Sequence, residues 1–273
     1  MESSFAPAAS FSKRAGWFPW GVWDADVPTQ IGQYPALARM VLRGDVKEGE
    51  VISVRRVSLA EMAEGKFAFS DRVQQQGDIK SFSGSVPQEA LAAGRVVVEF
   101  TDKPQPSTFP DMKKYVKDSA IVSATGQLAW DTSDKGFFTV NTAGTKAVVG
   151  FAQGKEAALG DVKIKMECPY ASIFVTALDK AATLATAKSA LVSAVARNAN
   201  TGFKIFALDN RVLENGAEPI LIEPVKATIS FAGRPVAAVH ILDLDGRRTD
   251  RTLPVQNGQF TLDSGRDKAI YYE

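Results

Sequence analysis

Two hydrophobic periods alternate along this chain. Over residues 31–43 apolar side chains recur at helical spacing, with Tyr34, Leu37 and Val41 on one side and Ala38 and Leu42 on the next. Gly44 follows as a stop, so the pattern predicts one amphipathic helix. Such a stripe requires a partner surface, and the tryptophan-rich stretch before it is the nearest candidate. Residues 50–57 alternate as a strand, and Ser58 with Glu61 three positions on predicts a capped short helix through Glu64. Residues 74–78 read as a loop, 86–92 as a short helix with Pro87 early in it, and 95–101 as a strand. Residues 103–110 carry three prolines and read as a linker or an ordered surface loop, followed by a brief helix over 111–116.

After Ser119 the pattern changes to short strand-like runs. Strand-like runs fall at 121–125, 128–131, 137–141, 145–150, 162–166, 171–178 and 191–196. Gly126, Asp134, Gly136, Gly144 and Gly160 punctuate them at the roughly 8–12-residue rhythm of an antiparallel sandwich. A second set lies at 221–222, 226–231, 236–242 and 259–262. Asp245-Gly246 and Asn257-Gly258 are its hairpin signals, and the first is expected to be a type I′ turn. Pro224 and Pro235 sit where an edge or a strand start is expected. The predicted fold is mainly β, one or more antiparallel β-sandwich domains preceded by a short N-terminal α-helical segment.

Composition narrows the function classes. A chain of 273 residues suffices for one large or two smaller domains. Lys and Arg number 32 against 31 Asp and Glu, and no basic run is interleaved with aromatics, so nucleic acid is not expected as a partner. One cysteine, Cys168, excludes an internal disulfide and a cysteine zinc cage. One histidine, His240, excludes a multi-histidine metal site, and no metal or cofactor is expected. No apolar run is long enough to span a bilayer, and the start lacks a basic region followed by an apolar one, so neither membrane nor signal peptide is expected.

The candidate chemistry is concentrated near the start. Trp17, Trp20 and Trp23 are three of the four tryptophans, and they lie beside Asp24 and Asp26. Tryptophan faces stack on sugar rings and carboxylates bind hydroxyls, so the three tryptophans are candidate carbohydrate-binding residues. Packing or self-association is the competing reading of the same cluster. Asp24 and Asp26 share a face if the segment is a strand, as an acid–base pair would require; otherwise they are a loop pair leading to Pro28. His240 lies on a strand three residues before Asp243 and is a candidate general base, or a structural histidine. Asp243 and Asp245 resemble the start of a calcium loop but lack its later ligands, which favours a turn. Cys168, before Pro169 in an apolar context, reads as a buried inert thiol, and Ser193 has no nucleophile elbow around it.

The runs WGVWDAD at 20–26, YPALA at 34–38 and LRGDV at 42–46 together resemble the end of the catalytic barrel in retaining glycoside hydrolases of the agarase and β-galactosidase-like group. SALVSAVARN at 189–198, NTG at 200–202 and IEPV at 222–225 resemble the all-β accessory domains of that group. The resemblance implies a C-terminal portion: residues 1–16 as a tail whose native origin the sequence leaves open, and 17–118 as a barrel-remnant helix and first strands. Residues 119–216 are then a β-sandwich, with 217–273 completing or extending it. No residue matches the group's acid/base or nucleophile glutamates, so the resemblance assigns no catalytic residue. It implies a polysaccharide or oligosaccharide partner and a parent often secreted or periplasmic. An exposed barrel edge favours a homo-oligomer. Two functions follow as expectations. One is a non-catalytic module, structural or carbohydrate-binding. The other is a self-associating hydrolase of glycosides or carboxylic, phosphate or sulfate esters, acting at an interface pocket through Asp24, Asp26, His240 or Asp243.

Overall fold

Short apolar runs closed by turn residues become strands throughout the computed structural model, which describes residues 28–65, 72–76, 79–83, 89–133, 135–206 and 211–273. Trp17, Trp20, Trp23, Asp24 and Asp26 lie outside the described residues. The described chain starts with two helices, α1 (Pro28–Ile31) and α2 (Tyr34–Leu42). Gly44, at φ 63°, ends α2: its N–H donates to Val41 C=O, and Asp45 N–H donates to Met40 C=O. This is the Schellman pattern, in which a left-handed glycine satisfies the last orphan carbonyls.

Described residues 47–133 form one body. It contains β1 (Val51–Ser58), α3 (Leu59–Ala63), β2 (Arg72–Gln76), β3 (Ile79–Ser83), α4 (Ala90–Ala93), β4 (Arg95–Thr101), β5 (Val116–Lys117), β6 (Ala120–Val122) and β7 (Leu128–Asp131). β1 and β4 pair in parallel with Val54 opposite Val97, whereas β2–β3 and β5–β6–β7 are antiparallel. Ser58 caps α3 by accepting from Glu61 N–H at 3.3 Å, as its spacing predicts. The proline-rich stretch is ordered along β1, where Thr108 and Val54 exchange backbone hydrogen bonds at 2.8 and 3.1 Å. Gln74 and Gln75, expected in a loop, lie in β2 opposite Ser81 and Lys80. A run of glutamines has no apolar alternation to announce a strand, so only its pairing reveals it.

Described residues 28–46 and 135–273 form the other body. Its strands are β8 (Phe137–Asn141), β9 (Thr145–Gly150), β10 (Glu156–Leu159), β11 (Val162–Met166), β12 (Ala171–Ala177), β13 (Ala190–Val195), β14 (Asn198–Thr201), β15 (Lys204–Phe206), β16 (Arg211–Glu214), β17 (Ala217–Ile222), β18 (Lys226–Phe231), β19 (Val239–Leu242), β20 (Arg248–Leu253) and β21 (Gln259–Asp263). A helical turn, α5 (Ser264–Asp267), and β22 (Tyr271–Tyr272) close it. One antiparallel sheet runs β20-β19-β22-β13-β12-β9-β8, and a second runs β10-β11-β18-β21. On β11, Val162, Ile164 and Met166 point inward while Lys163 and Lys165 stay exposed. They meet Ile229, Phe260 and Leu262 on their own sheet and Val148, Ile173, Val175, Val192 and Ile241 on the other, forming the core of a β-sandwich. The fold is therefore mainly β and antiparallel with a short N-terminal helix, as the spacing of short strands and turn residues predicts.

The helix α2 lies against β12 and β13. Its buried side chains are Ala36 and Met40, while Tyr34 and Val41 of the predicted stripe are exposed; the tryptophan stretch expected to partner that stripe lies outside the described residues. Sheet hydroxyls anchor the residues that flank the helix. Ser193 donates to Gly32 C=O, Ser172 to Gln33 Oε1 at 2.7 Å, and Thr145 to Asp45 Oδ2 at 2.8 Å. Arg43 pairs with Asp45 and donates to the carbonyls of Asp179 and Ala182. Buried polar groups without partners are costly, and here each sheet hydroxyl meets one on the helix side.

The two hairpin signals differ in outcome. Asn257 and Gly258 adopt φ 51° and 73°, and Gln256 and Gln259 exchange both backbone hydrogen bonds at 2.9 Å, a type I′ turn. At Asp245-Gly246 only the glycine has positive φ, 80°, and Asp243 N–H donates to Arg247 C=O. This is a longer loop with a left-handed glycine rather than the expected type I′ turn, because the Asp243 carboxylate caps it by accepting from Arg247 N–H at 2.8 Å.

Candidate functional site

The candidates that lie among the described residues are His240 and Asp243. His240 is half-buried on β19, opposite Thr252 on β20, and its backbone is tied to Glu273 by reciprocal hydrogen bonds of 2.7 and 2.9 Å. No hydrogen bond joins its imidazole to Asp243, whose carboxylate is engaged in the 243–247 loop. Ser193 is fully buried, with its hydroxyl donated to Gly32 C=O. Cys168 is buried, and loss of solvation pushes its thiol pKa up, away from the reactive thiolate. Among the described residues no group of three or more His, Cys, Asp and Glu is placed to hold a metal ion.

A cleft of about 500 Å³ opens where β20 meets α5. Ile241, Arg251, Thr252, Leu253, Pro254, Arg266 and Asp267 line it. The local sequence Asp263-Ser264-Gly265-Arg266-Asp267 builds one wall. Asp263 caps the turn by accepting from Arg266 N–H at 3.1 Å, Ser264 Oγ accepts from Val225 N–H at 2.7 Å, and Lys268 closes the turn at φ 51°. This points Asp267 inward, where it is 4% exposed.

The Asp267 carboxylate is fully engaged. Oδ2 accepts from Asp263 N–H at 3.0 Å and from Tyr272 OH at 3.2 Å, and Oδ1 accepts from Arg266 Nε at 2.8 Å. Burial, then the neighbouring Asp267 charge, pushes the Tyr272 hydroxyl far above its ordinary pKa, so it stays a donor to that carboxylate. Arg251 donates through Nη2 to the Asp267 carbonyl. One buried residue thus anchors two guanidinium groups, one from each wall. A second opening among the described residues, about 490 Å³, is lined by Glu218, Pro219 and Ile220 on the exposed β17 and gathers no comparable chemistry.

Arg251, Arg266, Asp267 and Tyr272 were not legible as a group. They come from three elements, and the short Asp-Ser-Gly-Arg-Asp run carries a turn signal, not a binding motif. The one available clue was a pair of acids flanking an arginine within a helical-turn spacing. Comparisons of the sequence with protein-family models, with curated proteins and with solved structures found no match.

Proposed function

We propose that this chain is an accessory β-sandwich portion of a glycoside hydrolase of the agarase and β-galactosidase-like group, with a structural and carbohydrate-binding role. The observation that carries the reading is the two-faced helix α2. One face buries Ala36 and Met40 on the sandwich, and the flanking Gln33, Arg43 and Asp45 fix its two ends by hydrogen bonds. The other presents Tyr34, Val41 and Leu42 to solvent, with Leu42 84% exposed. A helix that is anchored on one side and still exposes an apolar outer side has a surface left for a partner. The mainly β fold beneath it suits an accessory module, whose function resides in its surface.

Affinity electrophoresis in gels holding agarose, galactan and related polymers tests the carbohydrate role. Retarded migration in at least one polymer is expected; normal migration in all of them removes carbohydrate binding and leaves a scaffold. A self-associating hydrolase is the second reading, favoured by the same exposed stripe. Under it, hydrolysis of aryl glycosides or of carboxylic, phosphate or sulfate esters would co-purify with the protein. That activity would disappear in Asp24→Asn, Asp26→Asn or His240→Ala.

A further inference from the structure

We propose that the cleft between β20 and α5 binds an oxyanion carried on a sugar, a uronate carboxylate or a sulfate ester, through the unused donors of Arg251 and Arg266. The inference rests on the carbohydrate-binding reading above and deepens it by naming the ligand class.

The donor count is the first support. Arg251 engages Nη2 with the Asp267 carbonyl, and its Nε and Nη1 have no partner among the described residues. Arg266 engages Nε with the Asp267 carboxylate, and both its terminal nitrogens have none. A guanidinium presents its donors as a rigid planar fork that matches a carboxylate or sulfate in bidentate geometry. Because each arginine is held at one nitrogen, part of the cost of ordering a long side chain on binding is already met.

The charge balance is the second. Two guanidinium groups face one carboxylate, and that carboxylate is buried and saturated by three donors. A bound anion therefore meets positive charge, with Asp267 withdrawn behind it. No other carboxylate lines the cleft, but Asp263, whose Oδ1 accepts from Arg266 N–H, also acts on the Arg266 charge, so Arg251 carries the larger part of the positive field.

The remaining wall has an apolar rim: Pro254 is exposed and can meet the C–H face of a ring, above Ile241 and Leu253, which are buried in the sandwich core. A volume of about 500 Å³ falls within the roughly 300–1,000 Å³ typical of small-molecule sites.

Titration calorimetry of the whole chain with oligogalacturonate, a sulfated galactan oligomer, a neutral galactan oligomer and inorganic sulfate tests the inference. Binding of either acidic oligomer, weakened by added salt and at least tenfold tighter than the neutral one, is the expected result. Arg266→Gln, whose side chain is 59% exposed, should lose at least tenfold in affinity; it also removes a donor to the buried Asp267 carboxylate, so its fold is checked by thermal melting. Arg251→Gln removes a contact to α5, so its fold is checked in the same melt. In the wild-type chain, backbone amide shifts on titration with galacturonate should concentrate at residues 251–254 and 266–267. Equal binding of neutral and acidic oligomers, unaltered by Arg266→Gln, overturns the anion site and leaves the carbohydrate reading standing. Acidic binding that survives both variants, or shifts that cluster elsewhere, overturns it too. Inorganic sulfate binding as tightly as the oligomers removes the sugar from the proposal. Binding of none of them removes both readings.

Discussion

Individual residues decide how closely the helix approaches the sheet. A Cβ on Gly32 would collide with the Val195 side chain and lie 3.0 Å from Pro28 C=O. Gly32→Ala should therefore cost about 1–3 kcal/mol in denaturant unfolding, since neither neighbour can yield without lifting α2. Glu273 offers a pH signature. Arg248 Nε and Nη2 donate to its carboxylate at 2.8 Å each, and this pair holds its pKa below the ordinary carboxylate range. A depressed carboxylate stabilises the fold above its unfolded pKa and loses that contribution as pH falls through the folded one. Glu273→Gln should thus destabilise by about 0.5–1 kcal/mol at pH 7, and the difference should vanish in strong acid. Cys168 makes a third case: native protein should react slowly with a thiol reagent at pH 8 and rapidly in denaturant. Its burial was legible, since an apolar run with no second cysteine or histidine leaves a thiol only packing to do.

At the scale of elements, legibility followed the sheet face. Strands β8 and β11 alternate buried and outward positions, and that two-residue rhythm stands in the sequence, whereas β9, β12 and β13 are buried nearly throughout and stand in it as short apolar runs closed by turn residues. β16 is exposed along its whole length, so no inward period marks it and only pairing with β15 defines it. α2 was legible as a helix from its apolar spacing, but not in how it is anchored: Ala36 and Met40 are its buried residues, and Ser172, Ser193 and Thr145 bond Gln33, Gly32 and Asp45 at its two ends. The turns divide in the same way. Asn257-Gly258 acts alone and gives its favoured type, but at Asp245-Gly246 the carboxylate two residues earlier rewrites the loop. Gly258→Ala should cost about 1 kcal/mol or more, since φ is 73° and a Cβ would lie 3.1 Å from Phe231 C=O; thermal unfolding reads it directly.

At the scale of the molecule, the sandwich core is continuous across its two sheets, from Ile164 and Ile229 on one to Ile173 and Val175 on the other. Truncating Ile173 to Ala should cost about 2–5 kcal/mol in denaturant unfolding, as for other fully buried aliphatics. Within this framework α2 is the element whose sequence serves two surfaces, and the accessory-module reading depends on its outer one. Sedimentation velocity of the wild-type chain and of Leu42→Ser, over a wide concentration range, tests that most directly. The account predicts a wild-type dimer or larger species that Leu42→Ser shifts to monomer without lowering the melting temperature. A wild-type chain that remains monomeric at the highest concentration would contradict it.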